Sequence, residues 1–313
     1  MSRGRYILRR LVQMVPVLFG ITLITFLLIQ AIPGDPASIM LGTHARPESI
    51  AALNTQLGLD EPLWKQYTLY LRNLLQLDFG ESIKFKVSVA SLLGDRLPVT
   101  AMLIAWATVL SIAISVPLGI VTALRKDRPF DQFIRATLMI TMVMPGFWLG
   151  IILLIVFSVR LGWFPVSGYG DGFVDHVHHL FLPGLTIALS FAPFLVRALR
   201  ISILEALSSD YVRTARAKGL AERAVVFSHV LRNALVPTVT LLGLSVGFLI
   251  GGTVIVENVF SLPGAGVLLI QAISARDYPL VQSTTLVFAM LVIAVNLATD
   301  LAYSFLDPRV RFD

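Results

Sequence analysis

Residues Val99–Leu124 read VTAMLIAWATVLSIAISVPLGIVTAL, a run without a single formal charge. It is longer than the roughly 20 apolar residues that cross a bilayer as a helix. Five further runs have the same character: Leu11–Pro33, Ala136–Val159, Leu182–Val196, Val236–Val256 and Ser283–Leu306. The shortest, Leu182–Val196, is expected to continue to Ile203, with Arg197 and Arg200 reaching back to the interface. Only Ser283–Leu306 holds a formal charge, Asp300, near one end. Strand-like alternation of barrel length is absent. The expected fold class is therefore all-α integral membrane, with six spans.

Composition agrees. The 313 residues are 56% hydrophobic and 14% charged, where soluble domains carry about a quarter charged residues; mean hydropathy is +0.80. The formal charge of +6 is spread over short inter-span segments, so it is not read as a nucleic-acid surface. The chain has no cysteine, which excludes disulfides and thiolate chemistry. The apolar run after RGRYILRR exceeds the roughly 7–15 residues of a secretion-signal core, so it is read as a retained first span.

Lysine and arginine set the orientation. An inside N-terminus puts 17 of the 25 inside, in 3–10, 125–135, 197–232 and 309–311, while the two short outer loops hold only Arg160 and Arg276. The other six lie between Ile32 and Leu97, in a segment long enough to translocate regardless of charge. Both termini are expected on the cytoplasmic side. The long outer segment reads as two helices, Pro47–Gly58 and Pro62–Leu77. Ile50, Leu53 and Leu57 share one face of the first; Leu63, Tyr67, Leu71, Leu74 and Leu75 share one face of the second.

Several chemistries are missing. No lysine follows a glycine, so the phosphate-cradling G-x-x-x-x-G-K-S/T loop is absent. No span has a charge near its middle, as ion-coupled carriers usually need. All five histidines fall outside the spans. His176, His178 and His179 cluster beside the outer face, and with Asp171 and Asp175 as their only carboxylate company they are not read as a metal site.

Between two apolar runs lies Asp210–Pro237, DYVRTARAKGLAERAVVFSHVLRNALVP. It reads as two short amphipathic helices hinged at Gly219. Ser208, Ser209 or Asp210 can cap a helix ending at Lys218, with Gly219 as a left-handed stop and Arg216 and Lys218 in the favourable last turn. So short a helix needs a surface to pack on. Thr214, Ala215 and Ala217 keep it slim enough for a groove in another protein; a basic helix resting on lipid headgroups is the other reading.

This stretch resembles the cytoplasmic coupling loop of binding-protein-dependent ABC importers, with its pattern E-A-A-x-x-x-G. Thr214, Ala215 and Gly219 match in spacing; Arg213 stands where glutamate is usual. Arg232 stands where the first later proline is usual, and Pro237 fits the second. The form RTARAKGL is similar to the peptide-permease branch. Along the chain ILRRL (Ile7–Leu11), PGDP (Pro33–Pro36), LGLDEPLWKQY (Leu57–Tyr67), LDFGES (Leu77–Ser82), ENVFSLPGAG (Glu257–Gly266), RDYPLVQ (Arg276–Gln282) and LDPR (Leu306–Arg309) agree as well. The chain resembles the B-type permease subunit of dipeptide, oligopeptide and nickel importers.

That resemblance implies a six-span type I permease in a bacterial or archaeal inner membrane. Its parts would be a cytoplasmic N-terminus and first span (1–33), an outer segment (34–96), a five-span core (97–306) with a coupling loop (206–235), and a cytoplasmic tail (307–313). It implies a heterodimer with a C-type permease, two cytoplasmic ATPases that use ATP and Mg, and an outer solute-binding protein. The chain itself would be no enzyme and bind no cofactor. Asp210, Tyr211, Arg213, Thr214, Ala215, Arg216, Ala217, Lys218 and Gly219 become the expected ATPase contact. Glu257, Arg276 and Asp277, at the outer mouth, are candidates either for contact with the binding protein or for local ion pairs. Pro145, Thr240, Ser245 and Asn296 are candidate path-lining groups, and Pro117, Pro145, Pro183 and Pro193 are each either a candidate break or a tolerated kink. Gly243, Gly247, Gly251 and Gly252 give the fifth span a narrow face, for close packing or for lining a path. The alternatives at this point are nickel or another small solute within the family, or a stand-alone secondary carrier.

Overall fold

A computed structural model describes residues 3–30, 38, 46–58 and 60–306. The motif at Pro33–Pro36, the tail from Asp307 and the side chains of Leu53, Leu57 and Asp300 lie outside the described residues. The described chain is helical, with one isolated β-bridge between Glu81 and Ser88. It divides into two compact units. One comprises Val99–Pro263 and Val292–Asp313, the other Ser2–Pro98 and Gly264–Leu291.

In the second unit, α1 (Arg3–Gln30) runs through Pro16 without stopping. α2 (Pro47–Leu57) starts with proline in its first turn, where the missing N–H costs nothing, and stops at left-handed Gly58. α3 (Leu63–Leu75) lies along α1. Tyr67 Oη shares a 3.0 Å hydrogen bond with Thr22 Oγ1, and Tyr67 and Tyr70 pack on Phe26, with ring centroids 5.3 and 6.3 Å away. The inward face is thus Tyr67, Tyr70, Leu71 and Leu74, while Leu63 and Leu75 are exposed. The expected apolar face included Leu63 and Leu75, which are exposed, and left out Tyr70, which packs on Phe26. α10 (Ala265–Ser274) and the start of α11 (Tyr278–Leu306) complete this unit. Its core is Val89, Leu93, Leu268, Ala272 and Leu280.

α4 (Val89–Leu124) begins ten residues before the apolar run that announced it. Asp95 and Arg96 end the apolarity but not the helix. Membrane depth and helix length are different quantities, and hydropathy reports the first.

In the first unit the expected third span is two helices. α5 (Pro129–Val143) and α6 (Gly146–Leu153), the latter extended by a π-helical stretch Leu154–Arg160, are bent by 109°. The single span Ala136–Val159 is corrected accordingly. Pro145 clashes with a helical residue before it, so Met144 is driven to an extended φ −73°, ψ 129°. α7 (Phe173–Leu207) passes through Pro183 and Pro193 unbroken, because neighbours there keep the backbone in place. α8 (Asp210–Ala217) follows. A lead-in, Glu222–Ala224 and a π-helical Val225–Val230, then opens α9 (Leu231–Val259). α7 packs against α5, α6 and α9.

Among the described residues, Val89–Leu124, Phe173–Leu207, Glu222–Gly243 and Tyr278–Thr299 are each long and apolar enough to cross a membrane. The bent pair passes the same test jointly, and α1 has the shorter apolar stretch Val12–Leu27.

Candidate functional site

α8 is held by an apolar core of its own unit. Val212 is 0% exposed and Ala215 6%, packed into a cluster with Ala123 of α4, Leu199, Ile203 and Ala206 of α7, Val225 and Val230 of the lead-in, and Ala234 of α9. Three residues apart, Val212 and Ala215 share one helix face. A push on α8 therefore reaches three long helices through packed side chains, which resist compression.

The opposite face is polar and open. Asp210, Tyr211, Arg213, Thr214, Arg216, Ala217 and Lys218 are exposed. Ser209 stands at the cap position in extended conformation, yet its hydroxyl donates back to the Ala206 carbonyl at 2.5 Å rather than accepting from α8. Asp210 supplies the favourable negative charge of the first turn, and Arg213 lies 3.6 Å from it. Thr214 Oγ1 donates to the Asp210 carbonyl at 2.9 Å.

Gly219 stops the helix at φ 78°, and its N–H donates to the Arg216 carbonyl at 2.9 Å. No atom lies within 4 Å of a Cβ built there, so glycine is required by the backbone angle and not by space. Arg216 closes the turn with two hydrogen bonds to Glu222, at 2.6 and 3.1 Å. The Glu222 hydrogen bond raises the already high pKa of that guanidinium. Tyr211, Leu220 and Phe227 add exposed apolar area around the basic residues.

The structure separates the expected contact residues. Ala215, like Val212, faces its own chain's core and holds the helix; the other expected contact residues, Asp210, Tyr211, Arg213, Thr214, Arg216, Ala217, Lys218 and Gly219, are exposed. Leu220 and Phe227 were not singled out from sequence. Their signal was present, as apolar residues in a polar segment outside the spans.

The path candidates scatter. Pro145 is exposed at the bend, Thr240 and Asn296 are exposed, and Ser245 is 7% exposed with its hydroxyl turned onto the Leu241 carbonyl at 2.7 Å. The glycine row divides. A Cβ on Gly243 would fall 1.9 Å from Thr299 Cγ2 of α11, so Gly243 serves close packing. Gly251 and Gly252 face open space.

Of the three residues expected at the outer mouth, two are buried and engaged locally. Glu257 and Asp277 are both 0% exposed. Thr100 Oγ1 donates to Glu257 Oε1 at 2.5 Å. Asp277 accepts from Ser82 Oγ, from the Lys84 N–H at 3.0 Å and from the Leu280 N–H at 3.3 Å. Neither carboxylate offers an atom to a binding protein, because buried charges must be satisfied internally. Arg276 alone is exposed, at φ 56°. The three histidines each meet a backbone carbonyl: His176 meets Tyr169, His178 meets Trp163 and His179 meets Asp175, all at 2.9 Å. His176 also stacks on Tyr169, with ring centroids 3.8 Å apart. His176 and His178 thereby fasten the loop after α6 to the start of α7.

Residues 115–312 match the family described as binding-protein-dependent transport system inner membrane component, and residues 3–104 match its N-terminal companion. A putative peptide transport system permease protein of Brucella abortus is 41% identical over 98% of this chain and 99% of its own length. The oligopeptide transport system permease protein AppB of Bacillus subtilis is 40% identical, with the same coverage of both chains. The glutathione transport system permease protein GsiC of Escherichia coli K12 is 38% identical, again over 98% and 99%. Among solved structures, an inward-facing MetNI methionine ABC transporter superposes with a TM-score of 0.57 at 20% identity, covering 69% of this chain and 96% of that one. That likeness carries the helical arrangement. The sequence matches over nearly the whole length carry the kinship: the chain belongs to the family of binding-protein-dependent transport system inner membrane components, the permease subunits of ABC importers.

Proposed function

We propose that this chain is the B-type half of a heteromeric importer of di- and oligopeptides, paired with a C-type permease. The supporting observation is the run of relatives named for peptide transport, about 40% identical along almost the entire chain. Chemistry agrees. A bare metal ion would be helped by imidazole, thiolate or carboxylate ligands along its route; the six apolar runs read from the sequence hold no histidine or cysteine, and their one carboxylate, Asp300, sits near one end. A peptide can move through a cavity lined by hydroxyls, amides and backbone, with Thr240, Ser245, Asn296 and the bend at Pro145 as its candidate lining.

In this reading the chain crosses the inner membrane six times with both termini inside. Residues 1–33 supply the first span, 34–96 the outer segment, 97–306 the core and 307–313 the tail. Two ATPase subunits bind ATP and Mg and grip the exposed face of α8. Their closure moves the apolar cluster under Val212, and with it α4, α7 and α9, giving alternating access. A solute-binding protein docks at the outer side, where Arg276 is the remaining contact candidate.

The test is ATP-driven uptake by the complete complex in vesicles, comparing labelled di- and tripeptides with nickel. Saturable peptide uptake is expected. Saturable nickel uptake without peptide competition would replace the peptide by a metal substrate. Reporter fusions after Arg128, Lys218 and Asp313 should all read cytoplasm, and an external signal from any of them removes the topology.

A further inference from the structure

Away from the coupling helix, α5 and α7 enclose a groove of about 390 Å³ within one unit. Its walls are Leu138, Met139 and Met142 from α5 and Pro193, Val196 and Ile201 from α7. Three arginines stand around it: Arg135 on α5, Arg197 and Arg200 on α7. Among the described residues one carboxylate pairs with them. Asp131, fully buried, receives Arg200 Nη2 at 3.0 Å and lies 3.3 Å from Arg135 Nε. Arg197 is exposed and has no ion pair among the described residues. The groove thus carries two positive charges more than its own fold neutralises.

The order of residues along the helices gives the groove a direction. On α5 the guanidinium of Arg135 comes first, and Leu138, Met139 and Met142 follow toward the bend. On α7 Pro193 and Val196 come first, and Arg197 and Arg200 follow. Arg200, late on α7, reaches Asp131 in the first turn of α5, so both helices put their arginines toward that end of the groove, with Ile201 beside them, and Met142 and Pro193 toward the other. Met139 and Met142 remain 68% and 50% exposed; their flexible thioethers can follow an irregular chain. A small water-soluble anion would use only the mouth. A ligand that fills the whole groove has an anionic head and an apolar tail.

We infer that this groove binds an anionic phospholipid, its phosphate at Arg197 and Arg200 and an acyl chain along Met139, Met142 and Val196. Basic pockets between membrane helices on the cytoplasmic side suit such headgroups. Placement in the inner leaflet rests on the orientation proposed above. Binding does not, because a nanodisc presents both leaflets, so a failed topology would leave the retained lipid unaffected.

The experiment is native mass spectrometry of the complete complex after exchange into nanodiscs, with phosphatidylglycerol mixed into phosphatidylcholine. A phosphatidylglycerol retained through detergent washing is expected. Arg197→Gln should lower its occupancy about fivefold, the worth of one interfacial arginine, and Arg197→Lys should restore most of it. Met142→Trp, which fills the apolar end and leaves every arginine in place, should also displace the lipid. Equal retention of phosphatidylcholine would overturn the inference. So would displacement by glycerol 3-phosphate alone, since the tail would then contribute nothing. A Met139→Cys variant that cross-links to the partner permease would give the groove to that subunit and overturn it as well. The comparison of the two lipids on the unaltered protein stands even if a variant fails to assemble.

Discussion

α8 and the turn before α11 are both short and charged, yet they are held in opposite ways. α8 is anchored by apolar atoms, Val212 and Ala215, and every charged residue on it points outward. The turn at Arg276–Tyr278 is anchored by a charged one. Asp277 is buried and gathers the segment around Ser82 and Lys84 to the first turn of α11. Apolar anchoring leaves polar groups free for a partner, while polar anchoring uses them up. Both segments mix acidic and basic residues close to a long helix, and the packing tells them apart.

The largest effect should come from breaking the polar anchor. Asp277→Ala leaves the Ser82 hydroxyl and two backbone N–H groups without their acceptor. Each unsatisfied buried group costs about 1–3 kcal/mol, so a loss of about 3 kcal/mol or more is expected, read as low yield and early thermal unfolding of the complex. A variant as stable as wild type but deaf to its binding protein would return Asp277 to the surface.

Next comes the stop of α8. Gly219→Val must hold a β-branched residue at φ 78°, costing about 1–2 kcal/mol, and ATPase co-purification should fall while insertion persists. Gly219→Asn should be close to neutral, since asparagine tolerates this region and no neighbour obstructs a Cβ. Equal loss in both variants would mean that the site is closed by a partner, not by backbone strain.

Val212→Ala tests the apolar anchor. It removes two methyl groups from a fully buried position, about 1–2 kcal/mol at roughly 0.8 kcal/mol per group plus incomplete collapse. Because Val212 touches the core and not the outer face, the ATPase should still bind, but its hydrolysis should be less tightly linked to uptake. Measured as ATP consumed per peptide imported, the ratio should rise.

These contrasts mark how far the residues alone could be read. The apolar runs located the long helices, and the amphipathic stretch around Gly219 located α8 and its left-handed stop, because both signals are local. Pro145 was one of four prolines read as possible breaks, but nothing local singled it out: hydropathy is continuous from Ala136 to Val159, and Pro183 and Pro193 stay inside α7. The burial of Glu257 and Asp277 was hidden for a different reason. Their partners Thr100 and Ser82 are 157 and 195 positions away in the chain, and nothing in the neighbouring sequence names them.

The smallest effect on stability should come from Arg213, and it sharpens the comparison most. Arg213 is exposed, and its one ion pair, to Asp210 at 3.6 Å, is exposed on both sides. Such pairs contribute little to folding, and surface substitutions usually stay within about 0.5 kcal/mol. Arg213→Ala should therefore leave thermal unfolding unchanged. If the outward face of α8 is what the ATPase grips, the same variant should weaken ATPase association, and more so at low salt, where a lost charge contact matters most. Asp277→Ala predicts the reverse pattern, a damaged fold with no change in the ATPase surface. Measuring both variants for unfolding temperature and for ATPase binding across salt concentrations places each residue on one side of the division. If Arg213→Ala lowers the unfolding temperature as much as Val212→Ala does, the division between anchor face and contact face on α8 is wrong.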